Sequence, residues 1–212
     1  MIIETLAITS DASGTPNLAP LGPVFPDRCF ELGAAPEHLT LRPYEGSTTL
    51  ANLRQRPVAV LHFSTDADLF ARTAIGKISP QELAQLTCPW EDGLMRLKNC
   101  ERVFRVEVSE IRSDGPRFEA SGTVTSHQCI DPPTGFCRGF AAVIEAAVMA
   151  TRLQFLDAQF VDDEMRRLGI IVEKTAGDRS RSAFERLKRF VRQRQASDPS
   201  GSGKIQPIES GG

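Results

Sequence analysis

No run of the roughly 18 to 20 consecutive apolar residues that a bilayer span needs occurs in the 212 residues. The opening Met1-Ile2-Ile3-Glu4 lacks the basic start and apolar stretch of a secretory signal, so a cytoplasmic location is expected. The five cysteines, Cys29, Cys88, Cys100, Cys129 and Cys137, form an odd set with no CxxC pair, which speaks against a secreted disulfide framework and against a zinc ribbon. Histidine is scarce too. His38, His62 and His127 stand in no i, i+4 pattern with another ligand type, so no metal site is expected. GxGxxG and GxxxxGK[ST] are both absent, which removes the dinucleotide fingerprint and the phosphate-binding P-loop. No Ser-His-Asp, paired-carboxylate or Cys-His constellation stands out, as is natural where a bound cofactor carries the chemistry.

What is present suits a globular chain: 41% hydrophobic and 25% charged residues exclude wholesale disorder, and the length fits one large domain or two small ones. Net charge is −2, yet between Arg179 and Gln195 seven basic residues face the single acid Glu185. Six strand candidates follow from alternation and turn signals: Ile2 to Thr9, Asn17 to Val24, Leu39 to Arg42, Pro57 to Phe63, Glu101 to Ile111 and Phe118 to Gln128. Pro20 and Pro23 assign the second to an edge or a bulge, and Asp114-Gly115-Pro116 turns the fifth into the sixth. Strands this close in sequence imply an antiparallel barrel or strongly coiled sheet, since a parallel sheet needs a helix after nearly every strand. A short helix precedes Pro57. Helical residues are expected in an insertion at about 65–98 and in two or three helices over 136–195, followed by a disordered tail at 196–212. Phe140 to Leu156 reads as a mostly buried helix with Glu145 and Arg152 on one face. Phe184, Leu187 and Val191 give the last helix one apolar stripe and leave its arginines on a solvated face. Nucleic-acid binding through those arginines lacks aromatic interleaving or a known motif.

Chemistry concentrates in Leu41-Arg42-Pro43-Tyr44-Glu45-Gly46-Ser47-Thr48-Thr49, a strand end, a glycine and three hydroxyl residues opening a helix. Unpaired N–H groups, the positive helix end, the hydroxyls of Ser47, Thr48 and Thr49 and the charge of Arg42 together form a phosphate cradle; an ordinary Ser or Thr N-cap has the same pattern. A helix end contributes about 0.3 to 2 kcal/mol, whereas micromolar binding needs about 8 kcal/mol. Something flat must supply the rest. Asn17-Leu18-Ala19-Pro20-Leu21-Gly22-Pro23 leaves room for an aromatic ring against main-chain groups, or is simply a bulged edge strand.

These blocks, with Ile2-Ile3-Glu4-Thr5, Asn52-Leu53, Asp66-Ala67-Asp68-Leu69-Phe70, Ile144-Glu145-Ala146-Ala147 and Thr151-Arg152-Leu153, resemble in order and spacing the flavoprotein family called domain of unknown function 447, over about residues 1–190. The resemblance implies an α+β fold: a six-stranded antiparallel split β-barrel binding FMN over 1–135, with the helical insertion, and a C-terminal helical region over 136–195. It implies phosphate contacts from Arg42, Ser47, Thr48 and Thr49, flavin-edge contacts from Asn17, Ala19, Pro20 and Leu21, and Tyr44 over the ribityl chain or ring. Asp66, Asp68 and Phe70 would border the site, though Asp66 also suits a helix cap. Where the family reads Phe-Asn-Arg, this chain has Phe136-Cys137-Arg138, so the amide is lost and Arg138 remains to face the phosphate. A homodimer, and a link to methanopterin-dependent one-carbon metabolism, are also implied. Two functions follow: an FMN oxidoreductase of flavin-reductase type with unidentified substrate and donor, or a non-catalytic FMN-binding module that docks a protein partner.

Overall fold

The computed structural model describes residues 1–26, 35–115, 117–131 and 137–197. Cys29, Pro116 and Phe136 lie outside the described residues, as do positions 198–212 of the expected tail. The chain divides into two compact units, 1–65 with 77–134, and 66–76 with 135–212.

In chain order the elements are β1 (Thr5–Ser10), β2 (Pro16–Leu21), β3 (His38–Leu41), α1 (Thr48–Gln55), β4 (Val58–Phe63), α2 (Ala67–Ile75), α3 (Pro80–Leu86), β5 (Thr87–Pro89), β6 (Met95–Leu97), β7 (Arg102–Asp114), β8 (Arg117–Cys129), α4 (Arg138–Ala150), α5 (Ala158–Thr175) and α6 (Asp178–Ser197). All but α2, α4, α5 and α6 belong to the first unit. Its sheet runs β2-β1-β4-β7-β8-β3, with every neighbouring pair antiparallel. β1 and β4 lie inside it, and both alternations are buried: Leu6, Ala7 and Ile8 on one, Ala59, Val60 and Leu61 on the other. That two-sided burial is why β4 reads as a continuous apolar run. β2 is outermost, where Pro16 and Pro20 break no ladder on the open side. Just past it, Val24 N–H donates to the Thr40 carbonyl (2.8 Å) and Thr40 N–H to that of Val24 (3.0 Å), linking the two outer strands at one point.

The core of this unit gathers Ala7, Leu21, Leu41, Leu53, Leu61, Val106 and Ala120 around Phe104. Phe63 and Phe25 pack on it with ring centroids 4.8 and 6.5 Å from that of Phe104. Each such buried Leu or Phe stabilises the fold by about 1.5 to 3 kcal/mol. Within the insertion at about 65–98, Pro80 opens α3 as its place in the sequence suggests, and the Thr87 hydroxyl closes it on the Leu83 carbonyl (2.7 Å); beyond Leu86 the only helical residues described are a 3-10 turn at Glu91–Gly93. Pro89 could not sit inside a continuing helix, and β5 instead pairs with β6. β7 and β8 extend beyond their expected ends and turn at Gly115, whose φ of +61° suits glycine.

In the second unit α4 is the central helix, packed by α2, α5 and α6 and buried at Ala142, Val143, Ala146 and Ala147. It stops at Ala150. Thr151 is the C-cap, its hydroxyl on the Val148 carbonyl (2.7 Å), and Arg152 lies beyond it, so Glu145 and Arg152 do not share a helix face. α5 and α6 form a hairpin over Ala176-Gly177, and Ala183, Phe184, Leu187 and Val191 supply the buried stripe of α6. Its arginines are not all solvated. Arg179 bonds Asp66 at 2.6 Å and Arg186 bonds Asp68, both acids being at the start of α2. α6 continues through Ala196 and Ser197, residues expected in the tail. Among the described residues no helix is long and apolar enough to cross a membrane.

Candidate functional site

β3 ends at Leu41, and Gly46 (φ +73°) turns the chain so that the Ser47 N–H reaches the Tyr44 carbonyl at 3.2 Å. Ser47 then caps α1, its Oγ accepting from the Leu50 N–H at 3.2 Å. Once these bonds are made, the N–H groups of Thr48 and Thr49 have no acceptor among the described residues. The Thr48 side chain is half-buried and that of Thr49 buried. The first turn therefore presents two unbonded amides and the positive helix end, with the hydroxyl of Thr48 alongside.

Arg42 is already engaged. Its guanidinium donates to Asp114 at 2.6 Å and its Nε lies 3.7 Å from Glu119, buried and without a hydrogen bond. Tyr44 is 40% exposed. Arg117 donates to its hydroxyl at 2.5 Å and stacks 4.3 Å from its ring centroid. Beside it Phe118 N–H reaches the Pro43 carbonyl at 2.9 Å, and Arg54 of α1 lies 4.7 Å over the Phe118 ring. Sequence reasoning missed Arg117, Phe118 and Arg54. Only the β3–β8 register, continued by the Tyr44–Arg117 bridge, brings them here.

On β2 the expected flavin-edge residues divide between two faces. Asn17, Ala19 and Leu21 pair with Thr9, Ala7 and Thr5 of β1, while Pro20 points the other way with Leu18. Leu21 belongs to the core, and its carbonyl accepts from the Thr5 hydroxyl at 2.8 Å. Asn17 and Ala19 are half-buried on β2, the strand next to α1, and α1 is tied to β1 by Asn52 Nδ2 donating to the Thr9 hydroxyl at 3.1 Å. Arg42, Tyr44, Ser47, Thr48 and Thr49 thus lie along one stretch of the first unit, with β2 next to α1. Arg138 opens α4 in the second unit and is exposed. There Asp66 caps α2 through the Leu69 N–H (3.0 Å), Asp68 turns to Arg186 and Arg72, and Phe70 packs on Phe140.

The strongly displaced titrating groups lie off this stretch. Burial lowers His62 to about 4 and raises the Cys100 thiol to about 11. The stretch offers an anion donors of N–H and O–H, and offers a flat ligand an edge of small residues.

Residues 3–131 match the family model described as protein of unknown function (DUF447) N-terminal domain, and residues 137–189 the one described as protein of unknown function (DUF447). Among solved structures the chain is similar to an FMN-bound DUF447 protein from Methanosarcina mazei, at TM-score 0.74 and 23% identity, over 89% of this chain and 94% of that one. At that identity the likeness is one of fold. More distant are an FMN-binding protein from Thermus thermophilus with bound 1-cyclohex-2-enone (TM-score 0.49, 13% identity, 60% and 70% covered) and flavoredoxin from Methanosarcina acetivorans (0.48, 14%, 62% and 74%).

Proposed function

The chain belongs to the DUF447 family, matching its models over residues 3–131 and 137–189, and from that premise we propose that it is an FMN-binding flavoprotein whose sheet closes as a split β-barrel. The carrying observation is the start of α1, where the Thr48 and Thr49 amides are unbonded beside the Thr48 hydroxyl. A phosphate monoester is the FMN group that such donors suit. The Val24–Thr40 link between the outer strands supports closure. That the M. mazei relative is FMN-bound supports the choice of cofactor.

A helix end adds at most about 2 kcal/mol of the roughly 8 kcal/mol that micromolar retention needs. The ring must therefore lie on a second surface, and Asn17 and Ala19, on one face of β2, supply half-buried side chains for it. When bound, FMN supplies hydride and electron transfer. The chain's own residues bind and orient it, and we assign it to the oxidoreductases of flavin-reductase type, acting as a homodimer. The test is the absorption spectrum of freshly purified protein, with mass identification of any released cofactor. A colourless protein that refuses added FMN overturns the proposal.

A second function, a flavin-binding module that docks a protein partner, is favoured by the open groove of about 810 Å³ between α5 and α6, floored by Met165, Val172, Phe184 and Val191. Anaerobic mixing with NADH, NADPH or a reduced pterin of the one-carbon type separates the two. Bleaching of the flavin band marks the oxidoreductase, and an inert yellow protein marks the binder.

A further inference from the structure

Arg42 and Arg117 stand on one face of the sheet in opposite electrostatic circumstances. The β3–β8 register, carried on to the Tyr44–Arg117 bridge, places Arg42, Tyr44, Arg117 and Glu119 on the face away from the core residues Leu41 and Ala120. Asp114 is the cross-strand neighbour of Arg117, yet its carboxylate turns to Arg42 at 2.6 Å, and Glu119 lies 3.7 Å from the same guanidinium. Arg42 is thus one cation between two carboxylates, and a phosphate approaching that trio meets like charge. Arg117 has no carboxylate within ion-pair distance among the described residues. It spends one N–H on the neutral Tyr44 hydroxyl and rests on its ring, with further donors of its fork uncommitted. The Tyr44 carbonyl in turn accepts from the N–H of Ser47, the α1 cap, which joins Arg117 to the turn whose next two amides are unbonded.

We propose that Arg117, and not Arg42, is the residue that distinguishes a phosphorylated flavin from an unphosphorylated one. Arg117 supplies the fixed charge to the phosphate monoester, and Arg42 is a positioning residue that keeps Asp114 and Glu119 off it. This rests on α1 receiving the phosphate of FMN.

The experiment titrates FMN and riboflavin into full-length protein stripped of cofactor, following flavin fluorescence, with thermal melts to confirm that each variant is folded. In Arg117→Ala, FMN affinity falls roughly ten- to a hundredfold while riboflavin affinity stays within about twofold. Arg117→Lys, which keeps a point charge without the fork, recovers part of the preference. The combined Arg42→Gln, Asp114→Asn and Glu119→Gln variant keeps the FMN-to-riboflavin ratio within about threefold of the parent, since it removes the trio and leaves Arg117 in place. An unchanged ratio in Arg117→Ala, or a ratio lost in the combined variant, overturns the assignment. So does a loss confined to preference for NADPH over NADH, which would give the cation to a nucleotide donor. If the parent protein takes up neither flavin, the FMN proposal itself fails, and that result is seen before any variant is made.

Discussion

His62 lies on β4 with no exposure and both ring nitrogens bonded: Nδ1 donates to the Leu6 carbonyl at 2.9 Å, and Nε2 accepts from the Leu97 N–H at 3.1 Å. The Leu97 donor fixes the neutral tautomer, and burial, aided by Arg96, lowers the group from 6.5 to about 4. In the unfolded chain the histidine takes a proton below about pH 6.5, whereas the folded chain resists until about 4. The His62 contribution is therefore complete above pH 6.5 and is lost as pH falls towards 4, by up to about 3 kcal/mol. Urea unfolding at about pH 7 and about pH 4.5 checks this: the parent loses more stability between the two than His62→Gln, which has no titrating ring. Equal losses would refute it. The same scale explains which site residues could be seen in the sequence. Ser47, Thr48 and Thr49 were legible because capping is decided within four residues. The partners of His62, Arg42 and Tyr44 stand 35, 72 and 73 residues away; packing of β6 on β4 brings in the first, and strand register brings in the other two.

Among the elements, α4 shows what sequence periodicity resolves and what it misses. Its buried face was plain from the alanine and valine spacing, but its end was not, because Thr151 and Arg152 fit the pattern and are turned aside by bonds to Val148 and Met149. In the same way the sheet strands were recoverable from alternation, while β5 and β6, three residues each, are too short to carry a period. At the α4 start, a Cβ on Gly139 would sit 2.6 Å from the Cβ and 2.7 Å from the Cα of Ala176, so the helix touches backbone that cannot retreat. Gly139→Ala gains up to about 1 kcal/mol in helix propensity and loses more to overpacking, about 1 to 3 kcal/mol, so its melting temperature falls. Cys137, immediately before, holds the N-cap with extended backbone and no side-chain cap bond. Asparagine at this position has a side-chain oxygen that accepts from the first-turn amides. Cys137→Asn accordingly raises stability by about 0.5 to 1 kcal/mol in the same melts, and a fall would show that the thiol contact to the Thr175 carbonyl matters more.

At the scale of the whole chain, sequence order and physical units do not coincide. The two family models meet between residues 131 and 137, yet the second unit also draws on residues 66–76, which come between β4 and α3. Local pattern showed α2 as a helix capped by Asp66 but could not tell which core it served, for its partners lie seventy or more residues further on. Ala67 and Ala71 join the cluster of α4 and α6, Phe70 meets Phe140 with ring centroids 6.2 Å apart, and Arg179 and Arg186 fasten Asp66 and Asp68. Ion pairs near the surface contribute little, about 0 to 1 kcal/mol each, whereas burying the Phe70 side chain beside Phe140 contributes about 1.5 to 3 kcal/mol, with Ala67 and Ala71 packed in the cluster of α4 and α6, so apolar packing holds α2 in place. A small helical unit has little stability to lose. A fragment of residues 137–197 is thus expected to lose ellipticity gradually on heating. The same fragment carrying residues 66–76 on a Gly/Ser linker is expected to melt in one sharp step, with Phe70→Ala returning it to gradual loss. A sharp transition in the shorter fragment would show that α4, α5 and α6 form a core without α2.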